Sequence, residues 1–122
     1  MRERIRDKGR LQDILDYSEN VLQFIKGVGY EDFVADRIRY YAVMKNIEIV
    51  GEAAYMLTKE FKDAHPETAW EVVQGMRHVL VHGYAHINSI TLYDTAVKGI
   101  PQLREQVSRY LSETDWSEWE EK

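Results

Sequence analysis

Residues 43–61 read VMKNIEIVGEAAYMLTKEF, and the spacing within them decides the fold. Val43, Ile47, Val50, Ala54, Leu57 and Phe61 advance by alternating steps of four and three, the return period of one helix face. With Asp32 as N-cap, the pattern predicts a helix of about thirty residues ending near Lys62, a spine for a bundle or a dimer face. Upstream, Leu11, Ile14, Leu15, Ser18, Leu22 and Ile25 keep the same period until Gly27-Val28-Gly29 ends the run. Downstream, His65-Pro66 breaks the chain, and Pro66 suits the first turn of a third helix carrying Trp70, Val73, Arg77 and Leu80 as far as Gly83. A fourth helix, capped by Asn88 or Ser89, carries Tyr93, Val97, Ile100, Leu103, Val107 and Tyr110. Gly99 and Pro101 predict a kink within it. Residues 78–82 (HVLVH) alternate as a short strand would, but no second alternating run exists to pair with them. The expected fold is all-α, an up-and-down four-helix bundle forming one domain over residues 1–122.

Composition narrows the function classes. Apolar residues make up 44% and charged ones 30%, the balance of a folded globular chain. Seven Gly and two Pro are too few for a turn-rich all-β fold. The absence of Cys excludes disulfide scaffolds, thiol catalysis and thiolate metal sites, and fits a reducing cytoplasm. No apolar run approaches the ~18 residues that span a bilayer, and no apolar segment follows the charges of MRERIRDKGR. The expected localisation is cytoplasmic, away from membranes. The net charge of −5 is unevenly spread: residues 1–10 hold five basic and two acidic side chains, residues 112–122 five acidic and one basic. With no basic stripe overall, a nucleic-acid role must rest on a local site. The acidic tail, with Trp116 and Trp119, reads as a flexible terminus or as a strip that docks on a partner or shields an Arg-lined cleft in cis.

Chemistry concentrates in residues 76–86, MRHVLVHGYAH, which hold His78, His82 and His86 beside Arg77 and Tyr84. Three readings are open. Each side chain could be structural, with Arg77 a partly buried stem and His82 favoured by a helix C-terminus. His78 and His82, four apart, could share a helix face as zinc ligands do, although no carboxylate is interleaved to complete the set. Or Arg77 could neutralise a phosphodiester while His82 exchanges protons, the needs of RNA cleavage by the ribose 2′-hydroxyl. Arg77 and His82 are five apart, about 140° around an ideal helix, so they converge only at a frayed end or through a second subunit.

The spacing Arg77, four residues, His82, one residue, Tyr84 resembles the Arg-x4-His-x-Tyr motif of HepT-like toxins in the HEPN superfamily of helical RNases. Asn46-Ile-Glu-Ile-Val-Gly-Glu-Ala-Ala54, Trp70 and Ile100-Pro101-Gln-Leu103 extend the resemblance over most of the chain. His78 departs from it, standing where the family commonly has Asn. The resemblance implies a HEPN-like homodimer, a toxin of a type VII toxin–antitoxin pair that cleaves RNA without metal or cofactor. Arg77 and His82 would be catalytic, the motifs of two subunits meeting in one cleft. A minimal nucleotidyltransferase antitoxin would transfer AMP to Tyr84. His78, Asn46, Glu48 and Glu52 are the supporting candidates, a carboxylate orienting Arg77 or His82. The rival is a non-catalytic nucleotide-binding or protein-interaction module in which Arg77 merely holds a phosphate.

Overall fold

A computed structural model describes residues 2–78 and 88–121. After a 3-10 turn at Arg4–Arg6 come α1 (Asp7–Ile25), α2 (Tyr30–Ala35), α3 (Arg37–Tyr55), α4 (Lys59–Ala64) and α5 (Trp70–Gly75), which a second 3-10 turn, Met76–His78, extends. Beyond the undescribed stretch lie α6 (Ser89–Asp94), a π-helical segment (Thr95–Gly99), α7 (Ile100–Glu113) and α8 (Trp116–Glu121). The described residues contain no strand, and the fold is an all-α bundle. The alternating residues beyond His78 lie outside the described residues.

The predicted stripes form the core. Leu11, Ile14 and Ile25 of α1, Val43, Ile47, Val50 and Ala54 of α3, and Ile100, Leu103 and Val107 of α7 belong to one buried cluster, in which Val21 is buried while the expected Leu15 and Leu22 are only partly so. Helix α1 packs against both α3 and α7, while α5 and its 3-10 turn pack on α3. Each such Leu, Ile or Val side chain contributes about 1.5–3 kcal/mol on burial.

The thirty-residue helix is in fact three. Asp32 does not cap it but lies within α2; Asp36 is the cap, its backbone extended and its Oδ1 accepting from the Arg39 amide at 3.1 Å. The second break is at Thr58, whose Oγ1 accepts from the Phe61 amide at 3.2 Å and opens α4. Leu57 and Phe61 stay fully buried across the break, so the apolar period survives where the helix does not. Pro66 likewise opens no helix. It sits in a turn closed by the Thr68 amide on the His65 carbonyl, and α5 starts at Trp70. Asn88 caps α6, accepting from the Thr91 amide at 3.0 Å. The expected kink is the π-helical segment: the Ile100 amide reaches the Thr95 carbonyl five residues back, and Pro101 has no amide proton to give.

The acidic tail is helical and folded back on the bundle. The Trp116 ring stacks on Phe61 at 6.0 Å between centroids, and the Trp119 ring meets Phe61 edge-on at 5.4 Å. Trp119 Nε1 donates to Asp7 Oδ2 at 3.0 Å. Asp7, only 1% exposed, also accepts from the Thr58 amide at 2.9 Å and from Thr58 Oγ1 at 2.6 Å. Asp7 thus ties the start of α1, the cap of α4 and the tail together; of the two readings of the tail, it docks in cis rather than hanging free, and it does so on Asp7 and Phe61.

Candidate active site

The site is built where the 3-10 turn Met76–His78 crosses α3. Gly51 permits the crossing: a Cβ there would overlap the Arg77 amide nitrogen and lie 2.7 Å from the Met76 carbonyl carbon, backbone atoms that cannot swing aside. A mid-helix glycine costs roughly 0.5–1 kcal/mol relative to alanine, and here it lets the turn lie directly on the helix.

Arg77 is half-buried, and its guanidinium carbon lies 3.6 Å from the centroid of the Tyr55 ring. Its Nε is buried without a hydrogen-bond partner among the described residues. Arg77 lines a cavity of about 400 Å³ together with Arg10, Asp13, Lys45, Glu48, Ile49, Glu52, Ala53 and Met56. Lys45 and Glu48 pair with each other at 2.7 Å. Among the described residues no carboxylate lies within 4.0 Å of Arg77 or Arg10, although Asp13, Glu48 and Glu52 line the same cavity.

The candidates named from the sequence are placed unequally. Glu48 and Glu52 share the Arg77 cavity, but Glu48 holds Lys45 and neither carboxylate forms an ion pair with Arg77. The group lying against Arg77 is the Tyr55 ring, and the alternative of a carboxylate on His82 lies outside the described residues. Asn46 is not among the residues lining the cavity: its Nδ2 donates to the Ala42 carbonyl at 2.7 Å and its Oδ1 accepts from Asn20 at 3.1 Å, tying α3 to α1. His78 follows Arg77 on the turn and is exposed. His82 and Tyr84 lie outside the described residues, as does His86. Among the described residues no group of three His, Asp or Glu side chains could hold a metal ion.

Gly51, Tyr55 and Arg10 were not singled out from the sequence. An isolated glycine in a helical run does signal a close backbone approach, and Gly51 could have been read that way. Tyr55 leaves no such mark, because its role depends on where the turn after α5 crosses.

Residues 14–110, which include Arg77, His82 and Tyr84, match a family model described as ribonuclease HepT-like. The chain is 38% identical over 101 residues to a protein of Caldanaerobacter subterraneus subsp. tengcongensis named "Putative RNase TTE0752", covering 83% of this chain and 90% of that one. It is 34% identical over 97 residues to "Probable ribonuclease HepT" of Thermococcus cleftensis, covering 80% and 88%. No solved structure matches it. The helical bundle and the arginine on its turn thus belong to a chain of the HepT-like ribonuclease family. No helix among the described residues is long and apolar enough to cross a membrane.

Proposed function

We propose that this protein is a metal-independent endoribonuclease, the toxin of a type VII toxin–antitoxin pair, acting through Arg77 and His82. The observation that carries the reading is the Arg77 guanidinium, held on Tyr55, without a carboxylate partner among the described residues, on the wall of a 400 Å³ cavity. A planar fork in that state suits two oxygens of a phosphodiester. His82 moves the protons. The ribose 2′-hydroxyl loses its proton to an imidazole and its oxygen bonds to phosphorus. The bond from phosphorus to the 5′-oxygen then breaks, and an imidazolium returns a proton to the leaving strand. The products are a 2′,3′-cyclic phosphate and a 5′-hydroxyl end, and Arg77 stabilises the charge that develops between them.

A homodimer lets base and acid come from different copies. In support, Ile38, 87% exposed, and Tyr41 continue the α3 stripe of Lys45, Glu48 and Glu52, placing bare apolar surface in line with the cavity. The antitoxin is a nucleotidyltransferase. The Tyr84 hydroxyl attacks the α-phosphorus of ATP, pyrophosphate leaves, and the attached AMP repels the substrate phosphate.

The test is incubation of the unmodified protein with RNA in EDTA. Wild type cleaves and His82→Ala does not; a requirement for added divalent metal overturns the mechanism. Light scattering should give a dimer at micromolar concentration. With the partner and ATP, intact mass should rise by AMP units in wild type and stay fixed in Tyr84→Phe.

A further inference from the structure

The Arg77 cavity adjoins a second one, of about 150 Å³, lined by Arg2, Glu3, Arg6, Arg10 and Met56. Arg10 and Met56 belong to both. The guanidinium carbon of Arg2 lies 4.4 Å from the centroid of the same Tyr55 ring that carries Arg77. Arg6 and Arg10 are one helical turn apart. The run of basic residues at the chain's start therefore wraps the edge of the Arg77 site.

These cations form few ion pairs, although Glu3 lines the smaller cavity and Asp13, Glu48 and Glu52 the larger. Arg2 and Arg10 have no carboxylate within 4.0 Å among the described residues, and Arg6 has Glu3 at 3.8 Å with both side chains well exposed. An aromatic face orients a guanidinium without cancelling its charge, leaving the N–H edge free for an anion. Asp7, the other acidic residue of this segment, is turned inward onto Thr58 and Trp119 and does not face the cavity. Burial first, then the Arg2 charge, holds the nearby Lys62 ammonium below the usual lysine range, against the opposing pull of Asp7 and Asp63.

We propose that Arg2, Arg6 and Arg10, grouped around Tyr55 and Met56 beside Arg77, form a phosphate track that holds the single-stranded RNA flanking the bond to be cut. The proposal rests on the ribonuclease reading and adds a binding segment outside its motif. It explains how a chain of net charge −5 can grip a polyanion: the cations are gathered at one end of α1, and of the two carboxylates among them Asp7 is turned inward while Glu3 rests loosely on Arg6.

The experiment measures binding of the full-length protein to a 12-nucleotide single-stranded RNA, 2′-O-methylated so that it cannot be cut, across a range of salt. Each phosphate contact contributes about 0.7 to the slope of log affinity against log salt on a single strand. Arg2→Ala/Arg6→Ala/Arg10→Ala should lower the slope by about 2 and weaken binding at least about tenfold at low salt. Lys59→Ala/Lys98→Ala/Arg109→Ala removes equal charge elsewhere and should change neither. If circular dichroism shows the triple variant unfolded, Arg10→Gln alone should lower the slope by about 0.7. An unchanged slope and affinity in the folded variant overturns the track. So does a mononucleotide that binds as tightly as the 12-mer and loses as much in the variant, since that describes a nucleotide pocket. Should wild type leave unmethylated RNA intact in EDTA while the slope still falls in the triple variant, the ribonuclease reading fails and the track stands.

Discussion

Two arginines in this molecule are held almost identically. Arg4 lies 3.7 Å from the Trp119 ring and Arg77 lies 3.6 Å from the Tyr55 ring. Both are half-buried, and both have a buried Nε with no hydrogen-bond partner among the described residues. Their surroundings differ. The ring under Arg4 is fastened to Asp7, whose carboxylate accepts three hydrogen bonds, and Arg4 lines neither cavity around Tyr55. Arg77, by contrast, lines open volume. An oriented, unpaired arginine does not by itself mark a site; the space beside it for an anion does.

Exchanging the two arginines' fates is the strongest test of that contrast. Arg77→Ala should lower the cleavage rate by about 10²–10³-fold, the usual effect of removing one stabilising donor, and Arg77→Lys should also cleave poorly. Arg4→Ala should cleave RNA within about twofold of wild type and instead lose about 1 kcal/mol of unfolding free energy from the Trp119 contact. Equal losses of activity in both variants would break the comparison.

Next in size is Asp7→Ala. It strands the Thr58 amide, the Thr58 hydroxyl and Trp119 Nε1, each bonded to a charged acceptor worth about 1.5–3 kcal/mol. A loss of about 3 kcal/mol in urea unfolding is expected, with near-native cleavage by the fraction that stays folded. Gly51→Ala should act in the opposite sense. The added methyl pushes the Arg77 backbone off α3, and a displacement near 1 Å can cost about 10²-fold in rate. Helical content measured by circular dichroism should hold while turnover falls. Turnover that survives would mean the turn has room the crossing does not show.

The sequence makes legible whatever is local or periodic. The stripes at Val43–Phe61 and Leu103–Tyr110 follow from the demand that one helix face be buried, and the Asn88 cap and the Pro101 disturbance are local chemistry. The break at Thr58 is not local, because the partner of that cap, Asp7, is 51 residues away. The docked tail rests on the same remote carboxylate, 112 residues from Trp119. For the site, Arg77 stands out in a dense cluster of titratable groups. Its support does not: Glu48 and Glu52 are candidates by type, yet Glu48 holds Lys45 and the group against Arg77 is an aromatic ring.

The smallest expected effect isolates that ring. If Tyr55 positions Arg77 and Arg2 through its π face, then Tyr55→Phe keeps the face, and cleavage and affinity should stay within about twofold of wild type. Tyr55→Leu keeps the bulk but removes the quadrupole. A cation–π contact this close and partly desolvated contributes about 1–2 kcal/mol, which converts to roughly a 5- to 30-fold loss in kcat/KM. Stability alone cannot produce that pattern, because a Tyr55→Leu variant that merely loosened the bundle would lower the unfolding midpoint and leave kcat/KM per folded molecule unchanged. The split between KM and kcat carries further information. Loss of the Arg2 contact should raise KM for long RNA, whereas loss of Arg77 alignment should lower kcat. Leu and Phe variants that behave alike would show that Tyr55 only fills space beneath Arg77, and the contrast between the two arginines would then rest on the open volume beside Arg77 alone.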